Sequence, residues 1–175
     1  SKDAAARLAA REHASVVMIA LTVPRSLWPQ HLIGSGYLVP KPEQTAVTAV
    51  SFASNKWSHV QTADNSMVLR VSLGRDGMPM HHLDDDTLLK LALADLYWHL
   101  GIEFAPTDVR ITRWVDSFPQ YRPGHFEEVD QLEHVFDVAA PGVIFAGASY
   151  RGIGIPSCIA DANRAAARVL AKIDA

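Results

Sequence analysis

Only one cysteine, Cys158, occurs in the chain, so no internal disulfide can form and a reducing compartment is expected. No apolar run is long. The most extended, residues 15–23, is the size of a strand and far short of the ~20 residues that a membrane-crossing helix needs. Neither sign of charge dominates: 16 Lys and Arg against 19 Asp and Glu leave a net charge of −3, which removes the electrostatic case for a nucleic-acid partner. The chain opens on Lys2, Asp3 and an alanine-rich run, with no basic start followed by an apolar block, so a cytoplasmic protein without a signal peptide is expected. Phosphate-binding signatures are missing as well. No lysine follows a glycine-rich turn in the Walker manner, and no stretch carries the full G-x-G-x-x-G spacing.

What is present suits a folded protein. The 175 residues are 49% hydrophobic and 20% charged, enough apolar material for a core in one domain or a piece of a larger one. A short helix is expected over residues 2–12, with Leu8 and alanines inward. It leads into the β-rich residues 15–23, which Pro24 ends. Residues 36–39 and 45–53, joined through Pro40 and Pro42, predict an antiparallel hairpin. Residues 67–73 alternate, with Met67, Leu69, Val71 and Leu73 dry and Val68, Arg70 and Ser72 wet. Asp84, Asp85 and Asp86 before residues 88–100, and Gly101 after them, mark both ends of a helix. Its many leucines predict burial on two sides. Residues 108–118 return to strand character. Phe126, Val129, Leu132, Phe136 and Ala139 then predict a last surface helix before Pro141 and Gly142.

The closing stretch is the most informative. Residues 143–147 predict a short buried strand, followed by a turn containing Gly147, Gly152 and Gly154 and by a helix with Pro156 in its first turn. Ile159, Ala162, Ala166, Val169, Leu170 and Ile173 fall on one face of that helix, its expected inward side, while Arg164, Arg168 and Lys172 lie toward its negative end. Such a unit aims helix N–H groups at whatever fills the turn. A flavin's pyrimidine edge, which gains negative charge on reduction, suits it better than phosphate; a tightly packed corner that needs glycine only for room is the other possibility. The fold class is α+β: a mostly antiparallel sheet with helices, closed by a strand–turn–helix of nucleotide-binding type.

Four stretches resemble one family. Residues 145–160 are similar to the C-terminal flavin-binding segment of the protoporphyrinogen/coproporphyrinogen oxidases of the flavin amine-oxidase-like superfamily, especially actinobacterial members. Gly34 to Pro40 resembles that family's substrate-domain strand, and Ser51 to Trp57 the strand after it. Arg113 and Trp114 through Pro119, Gln120, Tyr121, Gly124 and His125 resemble its signature before the last helices. The family's own dinucleotide fingerprint has no counterpart here, so the chain is expected to be the C-terminal part of a longer FAD-dependent enzyme. Residues 1–112 would then belong to a substrate-binding domain and residues 113–175 to the end of an FAD/NAD(P)-binding α/β domain.

The resemblance implies that Trp114, Gly147, Gly152, Ile153, Gly154, Ile155 and Pro156 meet FAD, and that Ser35, Gly36 and Tyr37 face substrate. Many family members carry an aromatic where Ser35 stands. Tyr121 either lines the flavin wall or caps its turn, His125 is a local cap, and Cys158 is a packed thiol rather than a redox one. Eight histidines raise the question of a metal, but the adjacent His81 and His82 point apart and no metal site is expected. The activity implied is oxygen-dependent oxidation of a porphyrinogen in haem biosynthesis, coproporphyrinogen III before protoporphyrinogen IX, with peripheral membrane contact of the full-length protein left open. Another flavin amine-oxidase-like oxidoreductase, or a non-catalytic binding module, is the alternative. Taken alone, the chain is expected to be inactive and to bind FAD weakly or not at all.

Overall fold

A computed structural model describes residues 2–173. Its elements in order are α1 (Lys2–Ala9), β1 (His13–Val23), β2 (Gly36–Leu38), β3 (Val47–Phe52), α2 (Ala53–Lys56), β4 (Met67–Leu73), α3 (Asp85–Leu100), β5 (Asp108–Pro119), α4 (His125–Ala139) and α5 (Ile155–Ile173). They fall into two compact units, residues 14–117 and residues 1–13 with 118–175. The boundary expected between residues 112 and 113 lies inside β5. The units divide a few residues later, and α1 groups with the C-terminal helices.

The larger unit is built on a five-stranded sheet in the order β2-β3-β4-β1-β5. Strands β2 with β3, β3 with β4, and β4 with β1 pair antiparallel, with one irregularity of register between Val47 and Ala49. The alternation in β4 places Met67, Leu69, Val71 and Leu73 on one face. Val17, Ile19, Leu21 and Val23 of β1 join them there, and all eight are fully buried. Leu88, Ala92 and Leu96 of α3, at i, i+4, i+8, cover that face. Trp28 closes one end, edge-on to Phe52 and stacked on Phe104.

Helix α3 begins where its aspartates indicate: the Asp84 carboxylate accepts from the Thr87 N–H (2.8 Å), and Gly101 ends the helix in the left-handed region. Asp95 fastens the helix to the sheet by accepting from the N–H groups of Ala46 (3.0 Å) and Val47 (2.8 Å). The expected burial on two sides does not occur. Only the Leu88–Ala92–Leu96 stripe is fully enclosed, while Tyr97 and Trp98 are exposed, because a helix on one face of a sheet meets a single packing surface.

In the smaller unit His125, Val129 and Leu132 form the buried side of α4. Two expectations fail here. Residues 143–147 form no strand. A strand exists through a neighbour's hydrogen bonds, and this segment is held instead by side chains: the Gly147 N–H donates to Asp161 Oδ2 (3.0 Å), and Arg164 donates to the Phe145 carbonyl. Helix α5 also turns the opposite way. Its buried residues are Asp161 and Ala165, while Ile155, Ile159, Leu170 and Ile173 are exposed. The charged side faces α4, where Glu133 receives Arg164 (2.8 Å) and Arg168 (2.9 Å), and Asp137 receives Arg168 (2.8 Å) and Lys172 (2.7 Å). No helix among the described residues is long and apolar enough to cross a membrane.

Truncating the middle of the core separates this packing from mere propensity. Leu96→Ala keeps helix propensity but empties a fully buried site, so it should lower stability by about 2–5 kcal/mol. Urea unfolding followed by far-UV circular dichroism checks this, and a change below about 0.5 kcal/mol would show that α3 does not pack as described.

Candidate functional site

In the smaller unit the turn between residues 147 and 154 is tied at several points. The Tyr121 hydroxyl donates to the Ala148 carbonyl (2.7 Å) and accepts from the Gly152 N–H (2.7 Å), bridging the two sides of the turn. Its ring stacks on His125 at 3.7 Å, and His125 Nε2 donates to the Tyr150 carbonyl (2.8 Å). Arg151 reaches Asp130 (2.6 Å) and Glu133 (3.0 Å). Asp161, 4% exposed, accepts from Gly147 and Arg164. Desolvation works against the Arg164 charge, but hydrogen bonds to Asp161 and Glu133 outweigh it, so the guanidinium is held even more firmly protonated than usual. Gly152 has no substitute here. Its φ is +122°, and a Cβ would stand 2.6 Å from that of Ser157.

These ties do not spend all of the backbone: in the turn itself the N–H groups of Ala148, Ser149 and Arg151 meet no acceptor among the described residues, and the start of α5 is freer still. Of the residues that the sequence singles out, Gly147 and Gly152 give their N–H groups to Asp161 and Tyr121. Helix α5 starts at Ile155 with the Cys158 N–H bonding the Gly154 carbonyl. Among the described residues no acceptor meets the N–H groups of Ile153, Gly154, Ile155 and Ser157, and Pro156 has none to offer. All of this backbone but Ser157 is exposed. Cys158 is half-buried, with its thiol against the Gly152 carbonyl (3.4 Å).

In the larger unit Trp114 lies on β5 and is half-exposed. After it the chain bends at Asp116, whose φ is +46°; the Ser15 hydroxyl holds the bend by accepting from its N–H (2.9 Å) and donating to its carboxylate (3.1 Å). Arg113 ties β5 to the loop before α3 through the carbonyls of His81 and Leu83 and the Asp85 carboxylate. Gly36 opens β2 with φ +143°, and its missing Cβ is obligatory because one would sit 2.2 Å from the Val50 carbonyl oxygen. The Ser35 carbonyl accepts from Phe52, which continues the pairing by one residue. Tyr37 packs edge-on to Phe52 and His99, with its hydroxyl bonded to His99 Nδ1 (3.1 Å), beside a cavity of about 550 Å³ also lined by Ile33, Leu38 and Trp98. Burial, and then the Asp95 charge, push the Tyr37 phenol well above its ordinary value of 10.0. No His, Cys, Asp or Glu cluster among the described residues could hold a metal.

Residues 2–170 match the family described as flavin containing amine oxidoreductase. The chain belongs to that family. Its relatives there include the coproporphyrinogen III oxidase of Mycobacterium bovis (strain ATCC BAA-935 / AF2122/97), 38% identical over 93% of this chain, and that of Bacillus subtilis (strain 168), 33% identical over 87%. The chain spans 34% and 32% of those two proteins' lengths. A crystal structure from Exiguobacterium sp. 255-15 carrying a protoporphyrinogen oxidase designation superposes with a TM-score of 0.80 at 26% identity, over 97% of this chain and 37% of that one. The family relation and α+β fold expected from the four sequence stretches are thus both found.

Reasoning from sequence missed Asp161, Glu133 and the double role of Tyr121. Their partners lie far off in the chain, and only the spacing of Asp161 from Arg164, one helical turn, was visible locally.

Two outcomes test this geometry. Tyr121→Phe should cost about 1–3 kcal/mol by stranding two turn groups. Gly152→Ala should cost more, because the backbone itself must move; equal and negligible shifts in thermal midpoint would contradict the turn. For Tyr37 the folded-state value lies above the unfolded one, so its stabilisation is complete below pH 10.0 and is lost as pH rises beyond it. Tyr37→Phe should therefore show a shallower alkaline decline in unfolding free energy, and an unchanged slope would contradict the burial.

Proposed function

We propose that this chain is the C-terminal part of an FAD-dependent porphyrinogen oxidase of haem biosynthesis, acting on coproporphyrinogen III with dioxygen as electron acceptor. The observation that carries the reading is the set of N–H groups at residues 153–155 and 157, which have no acceptor among the described residues and stand at the positive end of a nineteen-residue helix. That donor set fits a flavin's pyrimidine edge, and the Cβ-free path at Gly152 keeps the backbone tightly folded behind it. Bound there, the flavin supplies the electron-accepting chemistry: the macrocycle loses hydrogen and dioxygen is reduced to hydrogen peroxide.

The protein's own part is binding and orientation. The backbone donors at the start of α5 favour negative charge on the ring edge that they meet, and they are fixed beforehand by Tyr121, Asp161 and Glu133, so little reorganisation is required. By the family resemblance Trp114 would offer an aromatic surface for the flavin and Ser35 and Gly36 would form part of the wall that meets substrate, whereas the Tyr37 side chain lies on the opposite face of the sheet, against Phe52 and His99. No carboxylate pair or Ser/His/Asp arrangement enters the proposal. Coproporphyrinogen is placed ahead of protoporphyrinogen because the relatives at 38% and 33% identity are named coproporphyrinogen III oxidase, whereas the Bos taurus protoporphyrinogen oxidase is 26% identical.

The test is anaerobic mixing of the full-length, flavin-loaded protein with coproporphyrinogen III. Bleaching of the flavin absorbance as porphyrin absorbance grows, reversed by admitting oxygen, is the expected result. A flavin that stays oxidised with coproporphyrinogen but bleaches with an amine would contradict the proposal and favour another member of the family.

A further inference from the structure

The sheet of the larger unit has a second face. On it lie Met18, Ala20 and Thr22 of β1, Val68, Arg70 and Ser72 of β4, and Ala49 and Ser51 of β3, and none of these side chains is buried. The register aligns one row across four strands: Gly36 of β2 faces Ser51 of β3, Ser51 faces Arg70 of β4, and Arg70 faces Ala20 of β1. Arg70 is the only charged side chain among those eight. It is exposed, pairs with no carboxylate among the described residues, and has its guanidinium 6.0 Å from the Trp57 ring centroid. The same ring carries Lys56 Nζ at 4.7 Å, and Lys56 too has no carboxylate partner there. Lys56 lines a hollow of about 240 Å³ with Ser35, Gly36, Leu38, Ala49 and Ser51, next to Arg70 in the row.

We propose that Arg70, assisted by Lys56, binds a peripheral carboxylate of the macrocycle and so selects a tetra-acid over a di-acid substrate. This rests on the porphyrinogen reading above and adds the determinant of choice within it. Two uncompensated cations beside a floor of small and weakly polar side chains suit a flat apolar ring with acids on its edge. A guanidinium can take a carboxylate in two parallel hydrogen bonds, and Trp57 keeps both cations from swinging free. A ring lacking that acid would leave Arg70 without its carboxylate partner when the ring excludes water, which penalises the di-acid.

The measurement is titration of the flavin-loaded full-length protein with coproporphyrin, with its tetramethyl ester and with protoporphyrin, followed by porphyrin absorbance. Arg70→Gln should weaken coproporphyrin about tenfold or more, the loss of one charge-assisted pair, and leave the ester unchanged. The flavin spectrum should stay the same, Arg70→Lys should recover part of the affinity, and with coproporphyrinogen KM should rise while kcat is kept. Arg70→Gln binding coproporphyrin as tightly as the parent, or losing acid and ester alike, would overturn the assignment. A parent protein that binds none of the three porphyrins would overturn the substrate reading itself, and this inference with it.

Discussion

A short loop can present backbone N–H groups to a ligand only if its other polar groups are satisfied without them. In this chain three acceptors go part of the way: the Asp161 carboxylate on Gly147, the Tyr121 hydroxyl on Gly152, and the Glu133 carboxylate on Arg151. Arg151 Nε and the N–H groups of Ala148, Ser149 and Arg151 stay without an acceptor among the described residues. Because Asp161 and Glu133 also hold arginines of α5, the turn and the helix behind it are fixed by the same groups. Ion pairs at an exposed surface contribute little. These carboxylates are largely enclosed, at 2% and 11% side-chain exposure, so removing either would leave cationic partners with nothing to answer them. The free donors at the start of α5 are the first N–H groups of a helix, which no preceding turn can meet, and these ties hold them in place.

The two units are stabilised differently. Residues 14–117 rely on apolar burial, with one sheet face closed by α3 and the other left for polar and small side chains. The smaller unit joins α4 to α5 through Glu133, Asp137 and three basic side chains, and α4 to the turn through Arg151, with a small aromatic set of Phe136, Phe145 and Tyr150 beneath the turn. Helix α5 thereby satisfies its charges and leaves its apolar stripe outward. Both the candidate substrate row on the sheet and the candidate flavin donors on the turn lie where packing is least complete, as expected of surfaces that must admit a ligand.

Local pattern made most of the elements legible. The alternation in residues 67–73, the aspartates before α3 with Gly101 after it, and Pro24 at the end of β1 each name a boundary that the structure keeps, because each depends on neighbours within a few residues. Inference failed where the deciding partner is distant. The apolar stripe of α5 predicts an inward face, but Glu133 and Asp137 across the unit attract the opposite side. Residues 143–147 have strand composition, but no strand among the described residues pairs with them. At the candidate site, glycine spacing and Pro156 pointed to the turn, whereas Tyr121, Asp161 and the Arg70 row emerge only once topology brings residues 14 to 50 positions apart together.

The most direct measurement is a crystal structure of the full-length protein with FAD bound. The account predicts that the pyrimidine edge of the flavin lies within hydrogen-bonding distance of N–H groups between Ile153 and Ser157, with the Tyr121 bridge to Ala148 and Gly152 intact. A flavin ring bound elsewhere, with those N–H groups turned to solvent or to another part of the chain, would contradict it.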